Sequence, residues 1–323
     1  MTGLRPPPKG DAPTRVAARF VVLIVLLALA GSAIWAVVTG QRIDLIEEVP
    51  TADLDRTEFV TSDGIVLNLV QEGSGAVQVV LLHDVDVAGG ILWDGVVEAL
   101  GDEVTALRID LPGFGLSDRV PVEGSRHTVA VMAEMVSEVV AGRFEDPVVF
   151  AGVGLGGEVA AEIGVIHPEL VSGLVMVDVD FEKSGGWVEM LEKLPFYGRA
   201  VTFSFEGAGP FAAGRWAPNC ESGGWCPTRE QVEARDLAET VANTAESMRG
   251  FRRTPAASVV PSKLNEITAP TYYVWSQEGD VPRESVDVIS EALPDMQVEV
   301  VPVWKAHLEA PDVVANAILT VSP

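Results

Sequence analysis

Residues 147–180 read PVVFAGVGLGGEVAAEIGVIHPELVSGLVMVDVD: an apolar strand, a glycine-rich turn, a helix and a second apolar strand ending in acids. A strand without polar alternation must be covered on both faces, which a parallel sheet between two layers of helices achieves. The same grammar runs through much of the chain. Strands are expected over Glu58–Thr61, Val66–Gln71, Gln78–His83, Val104–Ile109, Pro147–Ala151, Gly173–Val177, Thr271–Trp275 and Gln297–Val301. Spacing of 3.6 residues predicts helices over Trp93–Leu100, Val129–Ala141, Gly156–Ile166, Arg283–Ala292 and Pro311–Leu319. The class is α/β.

Between residues 181 and 269 the alternation stops, and ten of the 21 aromatic residues gather there, Trp187, Phe196, Phe203, Phe211, Trp216 and Trp225 among them. This segment is expected to be a cap inserted into a core formed by residues 56–180 and 270–323. One amphipathic helix is predicted in it, from Arg229 to Met248. The aromatics either form the cap's own core or line a ligand pocket.

Phe20 to Thr39 is a run of twenty residues without a charge. At helical rise it is about 30 Å long, the hydrocarbon thickness of a bilayer. Arg5, Lys9, Arg15 and Arg19 precede it against Asp11 alone, whereas Asp44, Glu47 and Glu48 follow Arg42. The bias puts residues 1–19 in the cytoplasm and the rest outside, as a single-pass protein of the cell membrane. The competing reading is a cleaved signal peptide, with Ala28 and Ala30 spaced for processing, but apolar sequence continues nine residues beyond them. Residues 40–55 hold Pro50 and several acids and are expected to be a solvated acidic linker. An exported domain permits Cys220 and Cys226 to form a local disulfide. The net charge of −25 repels a phosphate backbone, so nucleic acid is excluded as a partner.

The glycine cluster reads two ways. Gly152, Gly154 and Gly157 satisfy G-x-G-x-x-G after a strand, with Asp178 at the end of the next, which resembles a dinucleotide-binding turn. Alternatively, Gly152, Gly154 and Gly156 frame a nucleophile elbow, G-x-S-x-G, with glycine in place of the serine. The wider context favours the second. VVLLHDVD, then Asp110-Leu111-Pro112-Gly113-Phe114-Gly115-Leu116-Ser117-Asp118, then His167-Pro168-Glu169-Leu170 occur in the order and spacing of the α/β-hydrolase family, which the chain resembles over residues 56–320. The resemblance implies an α/β-hydrolase fold: a mostly parallel eight-stranded sheet, helices on both faces and a helical cap, here preceded by a membrane helix.

It also implies where a catalytic apparatus belongs. The nucleophile position is Gly154, which offers no side chain, and whose tolerance of positive φ would relax the turn. The oxyanion positions are Asp84, Val85 and Leu155, and a carboxylate at Asp84 would oppose a developing oxyanion. Asp280 stands one place late for the acid, with Asp178 or Asp180 in reserve. Counting forward from Pro302 makes His307 the base; counting back from Pro311 lands on Trp304. His83, His127 and His167 have structural explanations, and four histidines without a carboxylate cluster argue against a metal. No cofactor is implied. The expected function is a catalytically degenerate pseudo-hydrolase that binds an apolar ligand or a protein partner, as glycine-bearing members such as the N-myc downstream-regulated proteins do without catalysis. The alternatives are an enzyme using a His307/Asp280 pair without an elbow serine, and a dinucleotide-binding protein.

Overall fold

The computed structural model describes residues 12–120, 127–181, 187–205, 216–253 and 258–323. Eight strands form one sheet: β1 (Glu58–Val60), β2 (Val66–Glu72), β3 (Val77–Leu82), β4 (Val104–Ile109), β5 (Val148–Val153), β6 (Val171–Val177), β7 (Thr271–Ser276) and β8 (Gln297–Val301). Their order is β1-β2-β4-β3-β5-β6-β7-β8. The sheet is mixed. Pairs β1·β2 and β2·β4 are antiparallel, and every pair from β3·β4 to β7·β8 is parallel. The central strands β4 and β5 are buried at every residue, the requirement their unbroken apolar sequence sets.

Two helical layers cover the sheet. On one face, α2 (Asp94–Leu100) and α12 (Pro311–Val321) close over Val79, Leu81, Ala151 and Val175. On the other, α3 (Val129–Ala141), α4 (Leu155–Ile166) and α10 (Arg283–Ala292) close over Val80, Leu82, Phe150 and Leu174. These helices and all eight strands fall within a few residues of their expected bounds, the usual scatter at fraying ends.

The cap contributes α5 (Trp187–Glu192), α6 (Gly198–Phe205), α7 (Arg229–Thr240), α8 (Thr244–Arg253) and the single turn α9 (Val260–Lys263). Phe211 and the Trp187 side chain lie outside the described residues. The helix predicted over 229–248 is two helices. α7 opens on a capping box between Thr228 and Gln231 and stops at Val241, which turns extended, while Asn243 takes φ 71°. The break has a cause: Val49 forms a parallel bridge with Val241, donating to Thr240 O at 3.0 Å and accepting from Ala242 N at 2.8 Å.

That contact also corrects the solvated linker. Helix α1 runs from Ala12 to Ile46 without a boundary at Gly40. Its last turns are docked on the cap: Ile43 is fully buried with Phe203 and Ala245, and Glu47 Oε1 accepts from Ala245 N at 2.8 Å. Arg199 pairs with Asp44 at 2.7 Å and lies 3.6 Å from Glu47. Upstream, the Phe20–Thr39 run is one apolar helix of sufficient length to cross a membrane, with Phe20 to Leu27 all exposed.

Candidate functional site

The C-terminal ends of β3, β5, β6 and β7 converge, as they must when parallel strands share one direction, and the loops leaving them form the site. β5 passes into α4 through Gly154, with φ 50° and ψ −115°. That backbone is the mirror image of an extended one and is open to glycine at little cost. The turn is tight because Gly156 lies against the Leu82 carbonyl of β3, where a Cβ would collide.

Asp84 fills the space above Gly154. A Cβ built on Gly154 would stand 2.8 Å from Asp84 Oδ2 and closer still to Oδ1 and Cγ. Asp84 Oδ1 also accepts the Leu155 backbone N–H at 2.9 Å, the first donor of the α4 N-terminus. The carboxylate therefore lies at the place a residue-154 side chain would take, and is half-buried. Val85 follows it in the same loop, packed against the core.

His307 sits on the short turn α11 (Ala306–Glu309), 2% exposed, its ring 5.8 Å from the buried Trp93 ring. Among the described residues its Nδ1 has no hydrogen-bond partner, and neither does Trp93 Nε1. Burial, together with Lys305, pushes its pKa down to about 3, against an opposing pull from Asp84. Trp304, the other counted base position, points its backbone N–H at Glu309 Oε2, 2.8 Å away.

Asp178, at the end of β6, has φ 50°, an uncommon conformation for a residue with a side chain. Its carboxylate accepts from Ser276 N at 2.7 Å and from Ser276 Oγ at 2.6 Å, and Ser276 Oγ in turn accepts from Ala306 N at 2.8 Å. Desolvation is the main cause that raises its pKa to about 6, and Asp84 adds to it. Asp84, Asp178, Lys305 and His307 thus form one electrostatic neighbourhood. Asp280 is exposed on the loop after β7, and the charges acting on His307 are Lys305 and Asp84. Ser276 carries no motif that marks it in the sequence; the fold brings it to Asp178 and Ala306.

The remaining motif residues are structural. Asp110 accepts from Asn68 Nδ2, Gly90 N and Leu116 N at 2.7–2.9 Å, and Asp118 accepts from Val66 N, so this loop clamps β2 to the turn before α2. Leu111 N donates to His83 Nε2, which leaves Nδ1 to donate to the Asp84 carbonyl. His83 thus fixes the loop carrying Asp84. His127 is buried against Gly250 of the cap, and His167 lies between Glu134 and Glu169, 3.1 Å from each. No group of three metal-ligating side chains occurs among the described residues.

A groove of about 690 Å³ opens beside α11, between Val303 and Leu308 on one side and Asn219, Ser222 and Trp225 on the other. Cys220 and Cys226 form a disulfide with Cα atoms 4.8 Å apart that shapes its cap wall. Glu309 ties the two walls: Oε1 accepts from Trp225 N at 3.0 Å while Oε2 holds Trp304 N.

A sequence model of the α/β-hydrolase family matches residues 79–317. The pimeloyl-[acyl-carrier protein] methyl ester esterase of Nitrosomonas europaea is 32% identical over 111 residues; the match covers 34% of this chain and 40% of that relative's length. A hydrolase from Pseudomonas aeruginosa superposes with a TM-score of 0.63 at 18% identity, over 83% of this chain and 98% of its own. A thermophilic esterase from Thermogutta terrifontis gives a TM-score of 0.63 at 21% identity, over 83% and 97% of the two chains. The glycine turn follows the fifth strand rather than opening the domain, unlike a dinucleotide-binding turn, and the Asp178 carboxylate is engaged by Ser276. With its strand order, its convergent strand ends and a family match spanning most of its length, the chain belongs to the α/β-hydrolase family.

Proposed function

We propose that this chain is a membrane-anchored, exported α/β-hydrolase-fold protein that binds an apolar ligand or a protein partner and does not carry out acyl transfer. The observation that carries the reading is the Asp84 carboxylate seated over Gly154 and bonded to Leu155 N. Acyl transfer needs a nucleophile, a base oriented through its second nitrogen, and donors free for an oxyanion. Here residue 154 supplies no nucleophile, and the donor at Leu155 is taken by an anion. Among the described residues His307 Nδ1 has no hydrogen-bond partner, and the Asp178 carboxylate is taken up by Ser276. A histidine whose proton affinity is lowered to a pKa of about 3 is also a weak base at neutral pH. Export and anchoring rest on the apolar run of α1 and the charge bias around it.

Fluorophosphonate labelling of the full chain in membranes tests this directly, with no adduct expected. Stoichiometric labelling that heat destroys would overturn it. Gly154→Ala is expected to cost about 1–3 kcal/mol from backbone strain alone. The cost should shrink when Asp84→Gly vacates the space, as read by melting in detergent. A second reading starts from the same carboxylate: Asp84 Oδ1 stands close to where an attacking hydroxyl would be, so Asp84 itself would attack the acyl carbon of an ester, expelling the alcohol and leaving a mixed anhydride that water opens at the Asp84 carboxyl carbon to free the acid. That reading predicts ¹⁸O from labelled water in the Asp84 carboxyl after incubation with esters; we expect none.

A further inference from the structure

We propose that the tip of the α5–α6 hairpin in the cap is seated in the outer leaflet of the membrane that α1 crosses, so that the lipid bilayer is the partner of its exposed apolar side chains. The inference rests on α1 being a membrane span, as proposed above. It starts from a stripe on α1. Ser32, Ala36, Thr39, Ile43 and Glu47 recur at three- and four-residue steps, one face of a helix. Ala36, Thr39 and Ile43 are 6%, 7% and 0% exposed, whereas their neighbours Trp35, Val37 and Val38 are at least 40% exposed. At the lower end of the stripe Ser32 Oγ lies 3.1 Å from the Tyr197 hydroxyl, at the start of α6. The cap therefore covers α1 well inside the charge-free run.

Length decides what this means. Between Phe20 and Gly31 twelve residues remain below the Ser32–Tyr197 contact. Twelve residues of helix reach about 18 Å, far short of the roughly 30 Å of a bilayer's hydrocarbon. Only by extending to Thr39 does the run reach that thickness, and Ser32 is then about 10 Å inside its outer end. A cap standing wholly in water is incompatible with that register, because the Tyr197 hydroxyl reaches the depth of Ser32.

The chemistry of the tip agrees. Met190, Leu194 and Phe196 flank Tyr197 and are 64%, 41% and 56% exposed, an apolar cluster at the place where lipid is required. The Tyr197 hydroxyl shares a hydrogen bond with Ser32 Oγ, the partner that a polar group needs at that depth. The tip is also fixed. Arg249 of α8 donates to the Glu192 carbonyl at 2.9 Å and to the Leu194 carbonyl at 3.1 Å, so the turn between the two helices is held in place. The ion pair of Arg199 with Asp44 marks the water side, twelve residues along α1 from Ser32.

Depth-dependent quenching in the full chain tests the assignment. The two native cysteines are joined to each other, so a cysteine introduced at one position takes a fluorophore alone. Leu27→Cys reports the span, Phe196→Cys and Met190→Cys report the tip, and Val288→Cys, on the outer face of α10, reports the water-facing domain. The labelled proteins are reconstituted in phosphatidylcholine–phosphatidylglycerol vesicles with and without lipid carrying a nitroxide near the head of the acyl chain. The expected result is about twofold or greater quenching at the span and at both tip positions, with little at residue 288. Quenching at residue 27 with none at 190 and 196 would overturn the proposal and leave the anchor standing. Absence of quenching at all of them would remove the anchor, and the proposal with it.

Discussion

At the scale of single residues, the site is governed by two desolvated groups, Asp178 and His307, whose pKa values move in opposite directions because each is held in its uncharged form. The Asp178 carboxyl is raised from 3.8 to about 6 by desolvation, so the folded chain holds its proton more tightly than the unfolded one. Its contribution is present in full below about pH 4 and is lost as pH rises through about 6. His307 is lowered from 6.5 to about 3 by burial; its contribution is present above 6.5 and is lost as pH falls through about 3. Between pH 4 and 6 the two slopes oppose each other. Asp178→Asn removes one arm and should make melting temperature fall on acidification across this window, by a slope approaching about 1.4 kcal/mol per pH unit relative to the parent chain. Superimposable pH–melting profiles would contradict the assignment. Neither shift was legible in the sequence, because desolvation depends on what packs around a group. The positions were partly legible: His307, Asp84, Gly154 and Leu155 meet at the strand ends, whereas the exposure of Asp280 and the role of Ser276 needed the fold.

At the scale of elements, the local rules served wherever one element satisfied itself. β4 and β8, α3 and α10 have the expected bounds, because hydrophobic period and flanking turns define them without outside help. They failed where two distant segments share backbone hydrogen bonds. The periodicity of 229–248 continues through Val241, but its neighbours bond to Val49, and the helix breaks there. The disulfide loop is a third case. Export of the domain and the two cysteines in its sequence suggest the Cys220–Cys226 bridge, yet its placement opposite Glu309 follows from the cap's docking. A loop this short is worth roughly 2 kcal/mol by chain entropy, so its effect should be local. Cys220→Ser with Cys226→Ser should speed hydrogen exchange at Gly223–Trp225 and at Trp304 by several-fold while the sheet amides keep their protection. Unchanged exchange at Trp225 would show that Glu309, rather than the disulfide, holds the groove wall.

At the scale of the whole molecule, an acidic domain follows an apolar helix whose basic flank is N-terminal, and the bias predicts a single orientation. In inside-out vesicles added protease should spare the domain and remove only the N-terminal tail; in right-side-out vesicles the domain should be cut. Digestion of the domain in inside-out vesicles would reverse the topology. The sequence by itself determined the α/β class, the strand and helix series, the apolar run and the absence of a side chain at residue 154, since each follows from local composition and period. Only the tertiary structure decided that Asp84 closes over Gly154, that Asp178 is tied to Ser276, that the linker is docked, and that the cap reaches down α1 to Ser32. These are contacts between segments far apart in the chain, and their energies depend on packing and desolvation that no local pattern encodes.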